Sequence, residues 1–274
     1  MDTQIVAVYC ICDDMLRALH HHNDPQCQMS DSEVMTTAIV AMLYFGGNWE
    51  LARSHLSEYG YVSHMLSRSR FNRRLHRIGH LTCVLFATLA EVFKQWNDES
   101  IYLIDSVPIA ACDNYRIRHA KLYQNEAYRG YQASKRRYFY GLKVHLLVTK
   151  DHEPVEFFLT PGAESDTKAL ESFALDLPAG AQIFGDKAYN HYVVEDVLGE
   201  CGIELLPMRR RNSKRPLPPW MRYLQAHYRK QVETAGSLLE QLLPKSIHAV
   251  TPAGFELKLC LFMLALSLNC FQFE

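Results

Sequence analysis

Three acids stand where chemistry could be done. Asp105 closes the apolar run Ile101-Tyr-Leu-Ile, and Asp186 follows Ile183-Phe184-Gly185. Glu233 lies on a helical stretch between Val232 and Ala235-Gly236, with Arg229 one turn earlier on the same face. A carboxylate at the end of an apolar strand is costly unless a positive group pairs with it. Taken singly, an Asp after a strand caps a helix or closes a turn more often than it catalyses, and a lone helical Glu is usually solvated. Together they form an ordered set: strand acid, strand acid, helix acid. Hard carboxylate oxygens without His or Cys partners suit magnesium or manganese rather than zinc. Two such ions activate a water or a 3′-hydroxyl and stabilise the leaving oxygen of a phosphodiester.

The elements that must position these acids are legible in outline. Residues 1–98 read as an all-helical region. Within it, Ser30 and Glu33 have the form of a capping box before an apolar helix to Phe45. A shorter helix follows from about Trp49 to Tyr59, and one long helix runs from Ser67 or Ser69 to Trp96. From residue 99 the pattern becomes α/β. It gives a short strand ending at Asp105, an irregular polar, basic and aromatic stretch over 111–137, and a pair of antiparallel strands over 138–149 and 154–160. A helix over 167–175 capped by Ser165 or Asp166, a strand before Asp186, a helix over 192–201, a strand over 203–207 and helices over 220–243 and from Pro252 complete it. The boundary is a change of pattern, giving 1–98 as one region and 99–274 as the other.

Tyr102-Leu-Ile-Asp105-Ser, Tyr140-Gly-Leu-Lys143-Val-His145, Phe184-Gly-Asp186-Lys-Ala-Tyr189 and Arg229-Lys-Gln-Val-Glu233-Thr resemble the corresponding stretches of DDE transposases from bacterial insertion sequences. Ser69-Arg-Phe-Asn-Arg-Arg-Leu-His resembles the insertion-sequence group numbered 982. The resemblance covers nearly the whole chain. It implies a ribonuclease-H-like mixed sheet flanked by helices, and Asp105, Asp186 and Glu233 as ligands of two Mg2+ or Mn2+ ions. It also implies double-stranded DNA as partner, both terminal inverted repeats and target DNA, and a homodimer on that DNA. The helical front region then binds the element ends. Two positions depart from the pattern: Glu240 and Ala226 stand where many relatives carry Lys and Tyr.

Candidate DNA contacts fall in three basic clusters, where cations offset phosphate charge and aromatic rings stack on exposed bases. The first holds Arg70, Arg73 and Arg74, the second Arg136 and Arg137, the third Arg209, Arg210 and Arg211. Lys143, His145, Lys187, Tyr189 and Arg229, from the matching stretches, join them. Lys143 either reaches a scissile phosphate or pairs with Asp105, and the sequence leaves both open.

Composition sets the outer limits. At 274 residues and 48% hydrophobic content the chain buries a substantial core, and at 22% charged it is not disordered. A net charge of −1 argues against a protein that coats nucleic acid nonspecifically. Eight scattered cysteines with no CxxC pair argue against a disulfide framework or a zinc ribbon and favour reduced thiols. No signal-peptide pattern opens the chain, and the apolar run Leu259–Phe271 falls short of the about 20 residues a spanning helix needs. The expectation is a cytoplasmic protein, nucleoid-associated when acting, with no membrane partner. A structure-specific nuclease without strand transfer and a metal-independent DNA-binding regulator are the alternatives.

Overall fold

The computed structural model describes residues 1–132, 135–209 and 211–271. It divides the chain into two compact units, Met1–Thr88 with Gln241–Glu274, and Leu89–Glu240.

The first unit is helical. α1 (Asp2–Ala18) and α2 (Asp31–Tyr44) pack together, followed by α3 (Trp49–Glu58) and α4 (Arg68–Arg77). Ser30 caps α2 as the sequence predicts: its Oγ accepts from Glu33 N at 3.1 Å, and its own N donates to Glu33 Oε2 at 2.6 Å. α2 is buried on nearly every side from Asp31 to Met42, as a helix apolar all round must be. It packs on α9 (Pro252–Asn269). By length and composition α9 could cross a membrane, at a mean hydropathy of 1.3 over 18 residues, yet its residues from Leu261 to Leu268 are buried in the unit.

The single long helix expected up to Trp96 is two. α4 stops at Ile78, whose φ of −98° and ψ of 8° leave the helical range, and α5 (Gly79–Trp96) starts afresh. The apolar pattern continues across the break, which is why periodicity missed it. Ile78 is itself buried, and Gly79, a poor helix former, marks the joint.

The second unit is built on a mixed six-stranded sheet: β1 (Ile101–Asp113), β2 (Arg129–Gln132), β3 (Arg137–Thr149), β4 (Pro154–Pro161), β5 (Gln182–Gly185) and β6 (Glu204–Pro207). The order is β2-β3-β1-β5-β6, and β4 pairs with the same edge of β3 as β2 does. β1 lies antiparallel to β3 and parallel to β5, and β5 lies parallel to β6. The short α6 (Asp166–Ala169), α7 (Tyr192–Glu200) and the 24-residue α8 (Pro219–Leu242) complete it.

β1 corrects the sequence reading in a way that bears on the site. It does not end at Asp105 but runs eight residues further, to Asp113. Pro108 falls inside this extension, although a proline cannot donate to a strand ladder. The register explains it: β5 pairs with β1 only as far as Ile104↔Gly185. Beyond Ile104 that side of β1 is an open edge, where a missing N–H leaves no ladder bond unmade.

Candidate active site

The parallel register brings two of the acids together. Ile104 is opposite Gly185, so Asp105 and Asp186 follow at the same level of adjacent strands. β5 can lie this close because Gly185 has no side chain: a Cβ there would stand 2.6 Å from Ile104 Cγ2. Asp186 then turns the chain, its Oδ1 accepting from Ala188 N at 2.6 Å.

α8 supplies the third. Its buried face runs through Met221, Gln225, Val232, Ala235, Gly236 and Leu239. Gln225 Nε2 donates to the carbonyls of Leu206 and Pro207 at 3.2 and 2.9 Å, which ties the helix to β6. Tyr228 packs against Phe184 of β5, the rings tilted by 31° with centroids 4.3 Å apart. Gly236 meets β1, where a Cβ would stand 3.1 Å from Asp105 Oδ2. This docking places Glu233 over the same cavity.

Asp105, Asp186 and Glu233 together line that cavity, of about 240 Å3, with Lys187 and Arg229 beside them. A larger cavity of about 440 Å3 lies among the helices of the first unit near Trp49 and Lys258, and none of the three acids reaches it. Chemistry rather than size selects the smaller one.

The acids repel one another. Burial first, then the charges of Asp186, Asp166 and Glu233, push the Asp105 carboxyl up to about 7, against the lowering hydrogen bond from Ser106 N at 2.8 Å. Each acid has a local partner as it stands, Glu233 Oε1 accepting from Arg229 Nε at 3.0 Å. Among the described residues no three His, Cys, Asp or Glu side chains close on a common point tightly enough to grip an ion in this arrangement. The donor set itself suits a hard divalent cation: three carboxylates line the cavity, with no thiol and no imidazole among its described lining residues.

The family model described as Transposase DDE domain matches residues 95–246, more than half of the chain, and that stretch holds all three acids. The chain belongs to the DDE transposase family. A comparison with curated proteins finds no match. Among solved structures, a piggyBac transposase synaptic complex with hairpin DNA is similar at 10% identity and a TM-score of 0.46, covering 97% of this chain and 71% of that one. A Mos1 transposase paired-end complex is similar at 11% identity and a TM-score of 0.26, covering 83% and 82%. Both likenesses are too loose to transfer detail.

The transposase sorts the other candidate residues by burial and pairing. Lys187 and Arg229 line the cavity, and Arg70, Arg73, Arg136, Arg137 and Arg211 are exposed. Arg137 pairs with Asp113 at 3.1 Å. Arg210 lies outside the described residues. Three other candidates are buried and a fourth is half-buried and held in an ion pair. His145 is fully buried, its Nε2 2.9 Å from Thr160 Oγ1 and its ring stacked on Phe158. Tyr189 is 1% exposed and packs beneath Gly185. Arg74 is buried against Asp31 at 2.7 Å. Arg209 grips Glu195 with both terminal nitrogens, at 2.6 and 2.9 Å. The arginines are held by carboxylates, and the aromatic rings belong to the core.

Lys143 does not pair with Asp105. Its Nζ donates to Glu164 O at 2.7 Å and meets Asp166 Oδ1 at 3.2 Å. Asp166 also accepts from Ser106 Oγ at 2.9 Å. A chain of polar contacts therefore runs from Lys143 through Asp166 and Ser106 to Asp105. Asp166 and Ser106 were missed because Ser165-Asp166 read only as a helix cap. Ser165 does the capping, accepting from Lys168 N, which leaves the Asp166 carboxylate for the site. Glu240, at the position where many relatives carry Lys, lies 3.7 Å from Lys135.

Proposed function

We propose that this transposase binds the terminal inverted repeats of its own mobile element, cuts the strand ends, and joins the freed 3′-hydroxyls to target DNA. The observation that carries the proposal is the meeting of Asp105, Asp186 and Glu233 on one cavity, from two adjacent parallel strands and one helix. The sheet order, with antiparallel strands on one side of β1 and parallel ones on the other, supports a ribonuclease-H-like core.

The three carboxylates are the proposed holders of two Mg2+ or Mn2+ ions, which when bound activate the attacking oxygen and stabilise the leaving one. The chain's own residues do the rest. β1 and the Ser106–Asp166–Lys143 contacts fix Asp105, so its oxygens need little reordering when a cation arrives. Lys187 and Arg229 rim the cavity and offset the charge of a phosphodiester laid across it. The exposed arginines of α4 and of the β2–β3 region are the proposed contacts for duplex DNA, with a homodimer holding two ends.

Glu233→Gln tests this. The variant is expected to bind element ends as the wild type does and to cut none of them in Mg2+. Full strand transfer by Glu233→Gln would overturn the assignment.

A further inference from the structure

The larger cavity of the first unit, about 440 Å3, has no part in the carboxylate site. It is lined by the turn into α3, by α4, and by the loop that leads into α9 with that helix's first turns. Lys258 stands in its wall. The residue is 9% exposed, and its Nζ donates to Gly47 O at 3.1 Å and to His248 O at 2.8 Å. The same nitrogen lies 4.7 Å from the centroid of the Trp49 ring. Among the described residues no carboxylate pairs with it, and burial alone lowers its pKa from the ordinary lysine value. Two carbonyl dipoles and a ring face are thin compensation for a buried ammonium, which is rarely buried unless paired.

A second donor beside it is unused. The Trp49 indole Nε1 is buried and donates to nothing among the described residues. Phe71 packs edge-on against that ring, with centroids 6.2 Å apart, and holds the indole in place. The rest of the lining is positive as well. α9 starts at the cavity, with Thr251 as its cap and Gly254 placed so that a Cβ would stand 3.8 Å from His76 Nε2. The start of an 18-residue helix carries a partial positive charge. Arg68, also on the lining, is exposed. The acid on the lining, Glu50, pairs with Arg53 at 2.7 Å and lies 3.8 Å from Arg68.

We propose that this cavity binds a phosphate group, with the Lys258 ammonium and the Trp49 indole N–H as its donors.

A phosphate supplies what each group lacks. One oxygen accepts from the indole, and the charge stands in for the carboxylate that Lys258 does not have. Arg68 and the start of α9 add positive charge around it. The volume is larger than a bare phosphate fills and falls among those that hold small molecules, so the group arrives on a larger carrier. Exposed Arg70 and Arg73 extend the positive charge of α4 beyond the cavity. A nucleotide brings this chemistry either free or as the 5′-phosphorylated end of a DNA strand. The cavity lies wholly in the first unit, so the site stands or falls apart from the metal reading of the second.

The test is calorimetric titration of the full chain in a chelator, which removes divalent ions and with them any contribution from the carboxylates. The probes are deoxyadenosine monophosphate, deoxyadenosine, and a short single strand with and without its 5′-phosphate. Each phosphorylated probe that binds is expected to do so at least tenfold more tightly than its unphosphorylated partner. Binding of the mononucleotide identifies a free ligand, and binding of the strand alone identifies a DNA end; either supports the site. Trp49→Phe keeps the ring and loses the N–H. It is expected to melt as the wild type does and to bind about tenfold more weakly. Lys258→Met is expected to abolish the preference for phosphate. No binding of any phosphorylated probe at millimolar concentration would overturn the proposal, as would wild-type affinity in a folded Trp49→Phe.

Discussion

Gly236 sets how closely α8 approaches Asp105. An added Cβ would meet Asp105 Oδ2 at 3.1 Å, so Gly236→Ala must displace either the carboxylate or the helix. In a helix interior the same change improves propensity by up to about 1 kcal/mol. The two effects separate function from stability. Gly236→Ala is expected to lower DNA cleavage by about 10- to 100-fold, because small misplacements of a reacting group are costly, while the melting temperature holds or rises. Cleavage at the wild-type rate would show that the contact does not position Asp105. His145 carries a pH dependence. Burial first, with Lys143 adding and Asp166 and Glu164 opposing, lowers its pKa from 6.5 to about 4. Between those values the unfolded chain binds a proton that the folded one does not. Stability is therefore full above pH 6.5 and falls as pH drops toward 4. Melting temperatures of His145→Gln, followed over that window, should fall less steeply than those of the wild type. Of the site, the three acids were legible in residue type and neighbours. Asp166 was not, because a Ser-Asp pair before a helix reads as a cap whichever residue does the capping. The burial of His145 and Tyr189 escaped too, since polar aromatic residues in a matching motif look like contacts until the packing is known.

At the scale of elements, most boundaries came from punctuation and period. The Ser30 capping box, the strand before Asp186 and the long helix after Pro219 all lie where the sequence puts them. Ser30→Ala removes one side of the box and is expected to destabilise the first unit by about 1 kcal/mol, measurable by urea titration. No change would mean that packing of the buried α2 alone holds its start. Two of the misreadings share a reason. The break at Ile78 and the continuation of β1 past Pro108 are set by partners distant in sequence. Gly79 sits against Leu257, and Pro108 lies where β5 has already ended. Local pattern cannot report either. Gln225 is similar: its amide holds two carbonyls of β6, yet in sequence it is one more polar helix residue. Gln225→Leu leaves those carbonyls without their donor. It is expected to cost about 1–3 kcal/mol and to loosen α8 over the site.

At the scale of the molecule, the family match over residues 95–246 covers the sheet and α8, so the proposed chemistry belongs to the second unit. A cluster of acids that repel one another is a liability in the protein alone and an asset with a cation. Ligands that bind only the folded state stabilise it by mass action. Mn2+ should therefore raise the melting temperature of the wild type, and a chelator should reverse the rise. Asp186→Asn should lose most of it. The central claim is that Asp105, Asp186 and Glu233 act as one metal-dependent site for cutting and joining DNA. The most direct measurement is single-turnover strand transfer in Mg2+ on DNA bearing the element's own ends, with Asp105→Asn, Asp186→Asn and Glu233→Gln beside the wild type. Each variant is predicted to lose about three orders of magnitude or more in rate while retaining end binding. Transfer at the wild-type rate by any one of the three would contradict the account.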